Sequence, residues 1–120
     1  MQVPYQIPAG LAPFDVQGIQ VYVVEAGDGA FPEPQHTVKI QYHGMLTDGT
    51  VFDSSFDRGE VHDFPLPRLI PGWQLALPKV RIGSKVRLVV PPQLGYGSRR
   101  IGNIPANSTL LFDIELIDSY

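Results

Sequence analysis

Cysteine is absent from the chain, which removes disulfides, thiol catalysis and thiolate metal sites while fitting reducing and oxidising compartments equally. No apolar run approaches the roughly 18 residues that a membrane span needs, and Met1–Gly10 lacks the basic stretch and continuous apolar stretch of a secretory leader. A soluble chain with no membrane association is expected, and its compartment stays open. Charge of one sign is scarce too: nine basic against twelve acidic residues give a net charge of -3. No dense basic patch occurs, so the electrostatic footprint of a nucleic-acid binder is missing. His36, His43 and His62 lack ligand-like spacing, and no metal site or cofactor is expected. Gly27-Asp28-Gly29 and Gly95-Tyr96-Gly97 have no strand-to-helix context, so turns explain them better than a phosphate loop. There are no repeats and no low-complexity tract. At 120 residues the chain is one domain by prior, large enough to bury about two-thirds of its unfolded surface without metals or bridges. Nothing calls for an oligomer, and a monomer is expected.

What is present has the punctuation of a β-rich domain. Pro4, Pro8, Gly10, Pro13 and Gly18 make residues 1–18 an extended N-terminal arm, and residues 19–120 the folded domain. Ile19 to Ala26 is β-branched and aromatic, as a strand requires, and the Gly27-Asp28-Gly29 turn closes it. Val38, Ile40 and Tyr42 alternate with Lys39, Gln41 and His43, the period of two that turns one sheet face inward and the other to water. Asp48-Gly49 between Met45-Leu46 and Val51-Phe52 is a hairpin signal, because a tight turn needs positive φ. Pro65 and Pro67 reduce the stretch from Phe64 to Ile70 to a short edge strand and a loop. Pro71 suits the first turn of a helix, Trp73–Leu77 can continue it, and Pro78 keeps it short. Val86, Leu88 and Val90, then Leu110, Phe112, Ile114 and Leu116, alternate as two further strands. Between them Pro91–Asn107 forms a loop of about 17 residues, long enough to suggest function. The expected architecture is α+β: a curved antiparallel sheet of about five strands wrapped around one short α-helix.

Large apolar residues sit at the punctuation points. Phe52, Ile70, Trp73, Tyr96 and Ile104 each lie beside Gly, Pro or Asp at turns and element ends, where a buried core alone explains them poorly. An apolar cleft is the simplest inference. Taken singly, Trp73 and Phe112 read more readily as core, and Asp53-Ser54-Ser55 as an Asx-turn.

Tyr42-His43-Gly44-Met45-Leu46, Asp48-Gly49, Phe52-Asp53-Ser54-Ser55, Asp57-Arg58, Ile70-Pro71-Gly72-Trp73, Gly83, Leu94-Gly95-Tyr96-Gly97, Ile104-Pro105 and Thr109-Leu110-Leu111-Phe112-Asp113 stand in an order that resembles the FKBP-type peptidyl-prolyl cis-trans isomerases, the immunophilins that bind tacrolimus and rapamycin. The resemblance runs from residue 19 to 118. It implies a pocket floored by Trp73 and walled by Tyr42, Phe52, Ile70 and Phe112, with Asp53 and Tyr96 as polar members. Asp53, Tyr96, Phe112 and Trp73 would be the catalytic group. Tyr42, Phe52, Arg58, His62, Leu69, Ile70 and Ile104 would hold substrate or inhibitor, with Arg58 paired to Asp53 and the Ile70 N–H bonded to a bound carbonyl. His62 stands where many relatives carry Phe, Asn103 stands where an aliphatic residue often lies, and the Phe64–Trp73 segment is about two residues shorter than in the small human-type members.

The implied reaction, rotation about X-Pro bonds in peptides and folding proteins, breaks no covalent bond and needs no cofactor. Proline-containing peptides and unfolded or folding proteins are the expected partners, with macrolides as competing ligands. The competing reading is a non-catalytic module that grips prolyl segments or macrolides. A structural interaction domain is a third.

Overall fold

The computed structural model describes residues 2–120. Seven strands form one sheet: β1 (Phe14–Val16), β2 (Ile19–Glu25), β3 (Thr37–Leu46), β4 (Val51–Ser54), β5 (His62–Pro65), β6 (Lys85–Val90) and β7 (Leu110–Ser119). Helix α1 is a single turn (Ser55–Arg58) between β4 and β5, and α2 (Pro71–Ala76) lies between β5 and β6. The main path is β1-β2-β6-β7-β3-β4, with β5 paired to β3 as well. Every pairing is antiparallel. The expectation of about five strands falls short by two. The strand β1, of three residues, is too short for periodicity to distinguish from loop, and β5, of four, starts two residues before the short edge strand expected from Phe64.

The long strand β3 organises the site. One side pairs with β7 from Val38 to Leu46. The other pairs with β5 through Thr37–Ile40 and with β4 through His43–Met45. Where the chain leaves for α1, the Ser55 hydroxyl accepts from the Tyr42 N–H at 2.8 Å and donates to the Tyr42 carbonyl at 3.3 Å. A side chain thus completes the ladder at the residue that will wall the pocket, and buried backbone groups stay paired. The β3–β4 turn closes by a Gly49 N–H to Leu46 bond and carries Gly49 at φ 90°. The left-handed residue follows a tighter turn, so the loop is longer than a two-residue hairpin.

Ile19, Val21, Val38, Ile40, Val86 and Leu88 are fully buried on the inner face, packed against Ala76 and Leu77 of the α2 region. Pro71 opens α2, and Pro78 is the middle residue of the 3-10 turn Leu77–Lys79 that follows it. Ser54 caps α1, its hydroxyl accepting from the Asp57 N–H at 3.1 Å.

The alternation along β3 holds to Tyr42 and then breaks, since His43 is buried rather than facing water. Its cross-strand neighbour Asp113 is buried too. The N-terminal segment reaches Asp113: Tyr5 is buried there, its N–H donating to Asp113 Oδ2 at 2.7 Å and its carbonyl accepting from Arg87 Nη2 at 3.0 Å. Arg87 forks onto Asp113 at 2.7 and 2.9 Å, satisfying a carboxylate that would be costly to bury alone. Among the described residues no helix is long and apolar enough to cross a membrane.

Candidate functional site

A cavity of about 290 Å³ opens on the inner face between β3, β4, β5, α2 and the Tyr96 loop. Its floor is Trp73, buried in the first turn of α2. Tyr42 and Phe112 stand on the indole at 73° and 87°, with ring centroids 5.7 and 5.0 Å away. Phe52 meets Phe112 at 88° and 5.7 Å. Perpendicular contacts set positive ring edges against negative faces, a favourable arrangement that also holds each ring at a fixed angle. Gly44 makes this possible. A Cβ there would lie 2.7 Å from Phe52 Cε1 and Cζ and 3.1 Å from Phe112 Cε1, so the two walls rest on bare backbone.

The polar members lie along one side. Tyr42 donates its hydroxyl to Asp53 Oδ2 at 2.5 Å, and Arg58 Nη1 donates to Asp53 Oδ1 at 2.6 Å. Arg58 Nε also donates to Glu60 Oε1 at 2.7 Å. Burial pushes the Asp53 carboxyl up, but the Tyr42 and Arg58 hydrogen bonds and the guanidinium charge outweigh it, so its pKa falls below the ordinary value. Desolvation raises the Tyr42 and Tyr96 hydroxyls, and the Asp53 charge adds to both shifts. Asp53 is therefore ionised and both phenols are protonated near neutral pH.

Donors at the cavity are left over from folding. Among the described residues neither the Tyr96 hydroxyl nor the Ile70 N–H donates to a protein acceptor. Gln74 fixes the Ile70 approach, its Nε2 donating to the carbonyls of Pro67 at 3.3 Å and Leu69 at 2.6 Å. The Trp73 Nε1–H is buried without a protein partner among the described residues as well.

Of the residues expected from the sequence, Tyr42, Phe52, Asp53, Leu69, Ile70, Trp73, Tyr96 and Phe112 line this cavity together. Three lie outside its lining. Arg58 is behind Asp53. His62 stacks on Phe64 at 5.4 Å and 2°. Ile104 lines an adjoining hollow of about 370 Å³, which shares Phe52, Asp53 and Tyr96 with the first. Phe64 and Arg68 line the main cavity without having been expected there. Phe64 shares the His62 side of β5, a period-two relation that Pro65 obscures, while Arg68 has no local signal beyond its nearness to Ile70.

The sequence model of the FKBP-type peptidyl-prolyl cis-trans isomerase family matches residues 28–117. The chain is similar to the isomerase FkpA of Escherichia coli K12, 48% identical over 84% of this chain and 37% of that protein. It is similar to the 22 kDa FKBP-type isomerase of the same organism, 47% identical over 84% of this chain and 50% of that one. It thus spans half or less of the length of these two curated relatives. The crystal structure of a peptidyl-prolyl cis-trans isomerase from Pseudomonas syringae superposes with a TM-score of 0.86 at 34% identity, covering 92% of this chain and 83% of that one.

Proposed function

The chain belongs to the FKBP-type peptidyl-prolyl cis-trans isomerase family, and on that premise we propose that it accelerates cis-trans rotation of X-Pro bonds in peptides and in folding proteins. The observation that supports this most directly is the cavity itself: an aromatic box about Trp73 beside the Tyr96 hydroxyl and the Ile70 N–H, donors unused by the fold.

Rotation about an X-Pro bond crosses a barrier of about 20 kcal/mol because it breaks amide resonance. The planar amide is the more polar state, with negative charge on oxygen and a nitrogen lone pair delocalised into the carbonyl. Transfer from water into an apolar, ring-lined hollow therefore raises the planar state relative to the twisted one. Trp73 receives the prolyl ring in this reading, and Tyr42, Phe52 and Phe112 exclude water around it. The Ile70 N–H anchors one backbone carbonyl, and the Tyr96 hydroxyl donates to the carbonyl that swings. Asp53, held ionised by Tyr42 and Arg58, fixes the polar wall. About 4 kcal/mol of differential stabilisation gives roughly a thousandfold acceleration, within reach of desolvation plus one or two hydrogen bonds.

We extend the proposal to macrolides such as rapamycin and tacrolimus as competitors for the same cavity. The test is a proline-limited peptide isomerisation assay at micromolar protein, with and without rapamycin. Acceleration that rapamycin suppresses is the expected result. A rate equal to that of buffer alone would refute the isomerase reading.

A further inference from the structure

The rim of the cavity carries positive charge that the fold does not use. Three of the nine basic side chains are paired: Arg58 with Asp53 and Glu60, Lys85 with Glu25 and Glu115, and Arg87 with Asp113. Arg81 donates to the Gly29 carbonyl and lies 4.4 Å from the Phe31 ring centroid. Lys39, Arg68, Lys79, Arg99 and Arg100 have no hydrogen-bond or carboxylate partner among the described residues. Three of these five belong to the cavity or the loop beside it, although the chain as a whole carries -3.

One of the three lies in the main cavity and two on the loop that walls the adjoining hollow. Arg68 lines the main cavity on the Leu69–Ile70 side. Arg99 and Arg100 are exposed and immediately precede Ile101, which lines the adjoining hollow together with Gly102, Asn103 and Ile104. That loop is held by its own backbone: Ile101 and Ile104 exchange hydrogen bonds at 3.0 and 2.7 Å, and the Asn107 N–H donates to the Gly97 carbonyl at 2.8 Å. The two hollows share Phe52, Asp53 and Tyr96, but only the first includes Arg68, Ile70 and Trp73. An extended peptide, advancing about 3.3 Å per residue, can seat proline over Trp73 and run from one hollow into the other. Its neighbouring side chains then face Arg68 at one end and the Arg99–Arg100 loop at the other. Arg58 bridges Asp53 and Glu60 and offsets one of their two negative charges. Asp63 accepts from the Tyr120 hydroxyl, and Asp57 lies against His43 on the outer face.

We propose that this site selects prolyl segments bearing carboxylate side chains within about two residues of the proline. The proposal rests on the isomerase reading and deepens it by naming the substrate class. Exposed charge pairs of this kind are worth about two- to fivefold in rate, and they fade once added salt shrinks the Debye length to a few ångströms.

The experiment measures kcat/KM by NMR exchange for Ala-Xaa-Pro-Phe and Ala-Leu-Pro-Xaa peptides, with Xaa as Glu, Gln, Lys or Leu. The expected order is Glu about two- to fivefold above Gln and Lys below Gln at low ionic strength, converging at about 0.5 M NaCl. Arg68→Glu should abolish or invert the Glu advantage on one side of proline. Arg99→Gln with Arg100→Gln should remove it on the other. Lys79→Gln, away from the cavity, should alter neither rate nor order. Equal rates for Glu and Gln at low salt, with Leu-Pro peptides still accelerated, would overturn the proposal and leave the isomerase reading standing. No acceleration of any peptide would overturn the isomerase reading instead.

Discussion

Tyr96→Phe separates a hydroxyl used for function from one used for folding. Among the described residues the Tyr96 hydroxyl has no protein acceptor, so its removal orphans no buried partner. The stability change should stay within about 0.5 kcal/mol, the range of a surface substitution. In the proposed mechanism the hydroxyl donates to the rotating carbonyl, a neutral hydrogen bond worth about 0.5–1.5 kcal/mol. That converts to a roughly two- to thirteenfold loss of kcat/KM. Tyr42→Phe makes the contrast, because that hydroxyl donates to Asp53 at 2.5 Å and accepts from Arg58 at 3.4 Å. Its loss withdraws a charge-assisted bond from Asp53, and both stability and activity should fall, stability by about 1–2 kcal/mol. Urea unfolding and a proline-limited peptide assay on the two variants check the pair. A fully active Tyr96→Phe, or one as destabilised as Tyr42→Phe, would refute the assignment of its hydroxyl to the substrate.

The pH profile follows from Asp53, whose pKa lies below the ordinary carboxylate value of about 3.9. A depressed folded pKa contributes stability that is present above the unfolded value and lost as pH falls through the folded one, so activity should be flat from about pH 5 to 8 and fall only below about pH 4. The Asp53 side chain is 44% exposed, so the accompanying stability change should stay under about 1 kcal/mol. An acid limb centred above pH 5 would argue against Asp53 as the titrating group. Gly44→Ala should cost about 1–3 kcal/mol through overpacking and lower kcat/KM by tilting Phe52. An alanine variant with parental stability and rate would show that Phe52 swings freely rather than forming a fixed wall. At the N-terminus, Tyr5→Ala should cost about 3–5 kcal/mol, as other large-to-small core changes do. Tyr5→Phe should be neutral or stabilising, since it removes a buried hydroxyl without a protein partner. Calorimetry on both variants decides, and a destabilised Tyr5→Phe would mean that the hydroxyl is satisfied in solution.

Residues whose position follows from local pattern were legible in the sequence. The period of two placed Val38, Ile40 and Tyr42 inward, and prolines at 71 and 78 bounded the helix that carries Trp73. What was not legible depends on tertiary cover. His43 and Asp113 read as solvent-facing, yet both are buried, His43 Nδ1 2.7 Å from the Ser54 hydroxyl and Asp113 under the segment around Tyr5, and nothing local to β7 records that a distant strap will pass. The one-turn helix α1 was unread for a related reason. Ser55 reads as a turn residue, whereas its hydroxyl serves Tyr42, 13 residues earlier. Phe64 and Arg68 reach the cavity because β5 pairs with the same strand that carries Tyr42. That pairing spans some two dozen residues, beyond any local window.

The same alternation explains how an outer-face clasp can serve an inner-face cavity. Phe112 and Asp113 are consecutive on β7, so their side chains leave opposite faces of the sheet: Phe112 toward Trp73, Asp113 toward Arg87 and Tyr5. Their cross-strand neighbours repeat the division, Gly44 opposite Phe112 and His43 opposite Asp113. The Arg87–Asp113 fork pins β6 to β7 directly behind the aromatic wall. On the other flank Tyr5 meets Phe56 of α1 edge-on at 6.3 Å, and α1 carries the Arg58 that holds Asp53. The clasp therefore bears on both the apolar and the polar wall without touching substrate. A cavity that works by excluding water and holding rings at fixed angles gains from backing of this kind, because loosening either wall would readmit solvent to the hollow where the amide must twist.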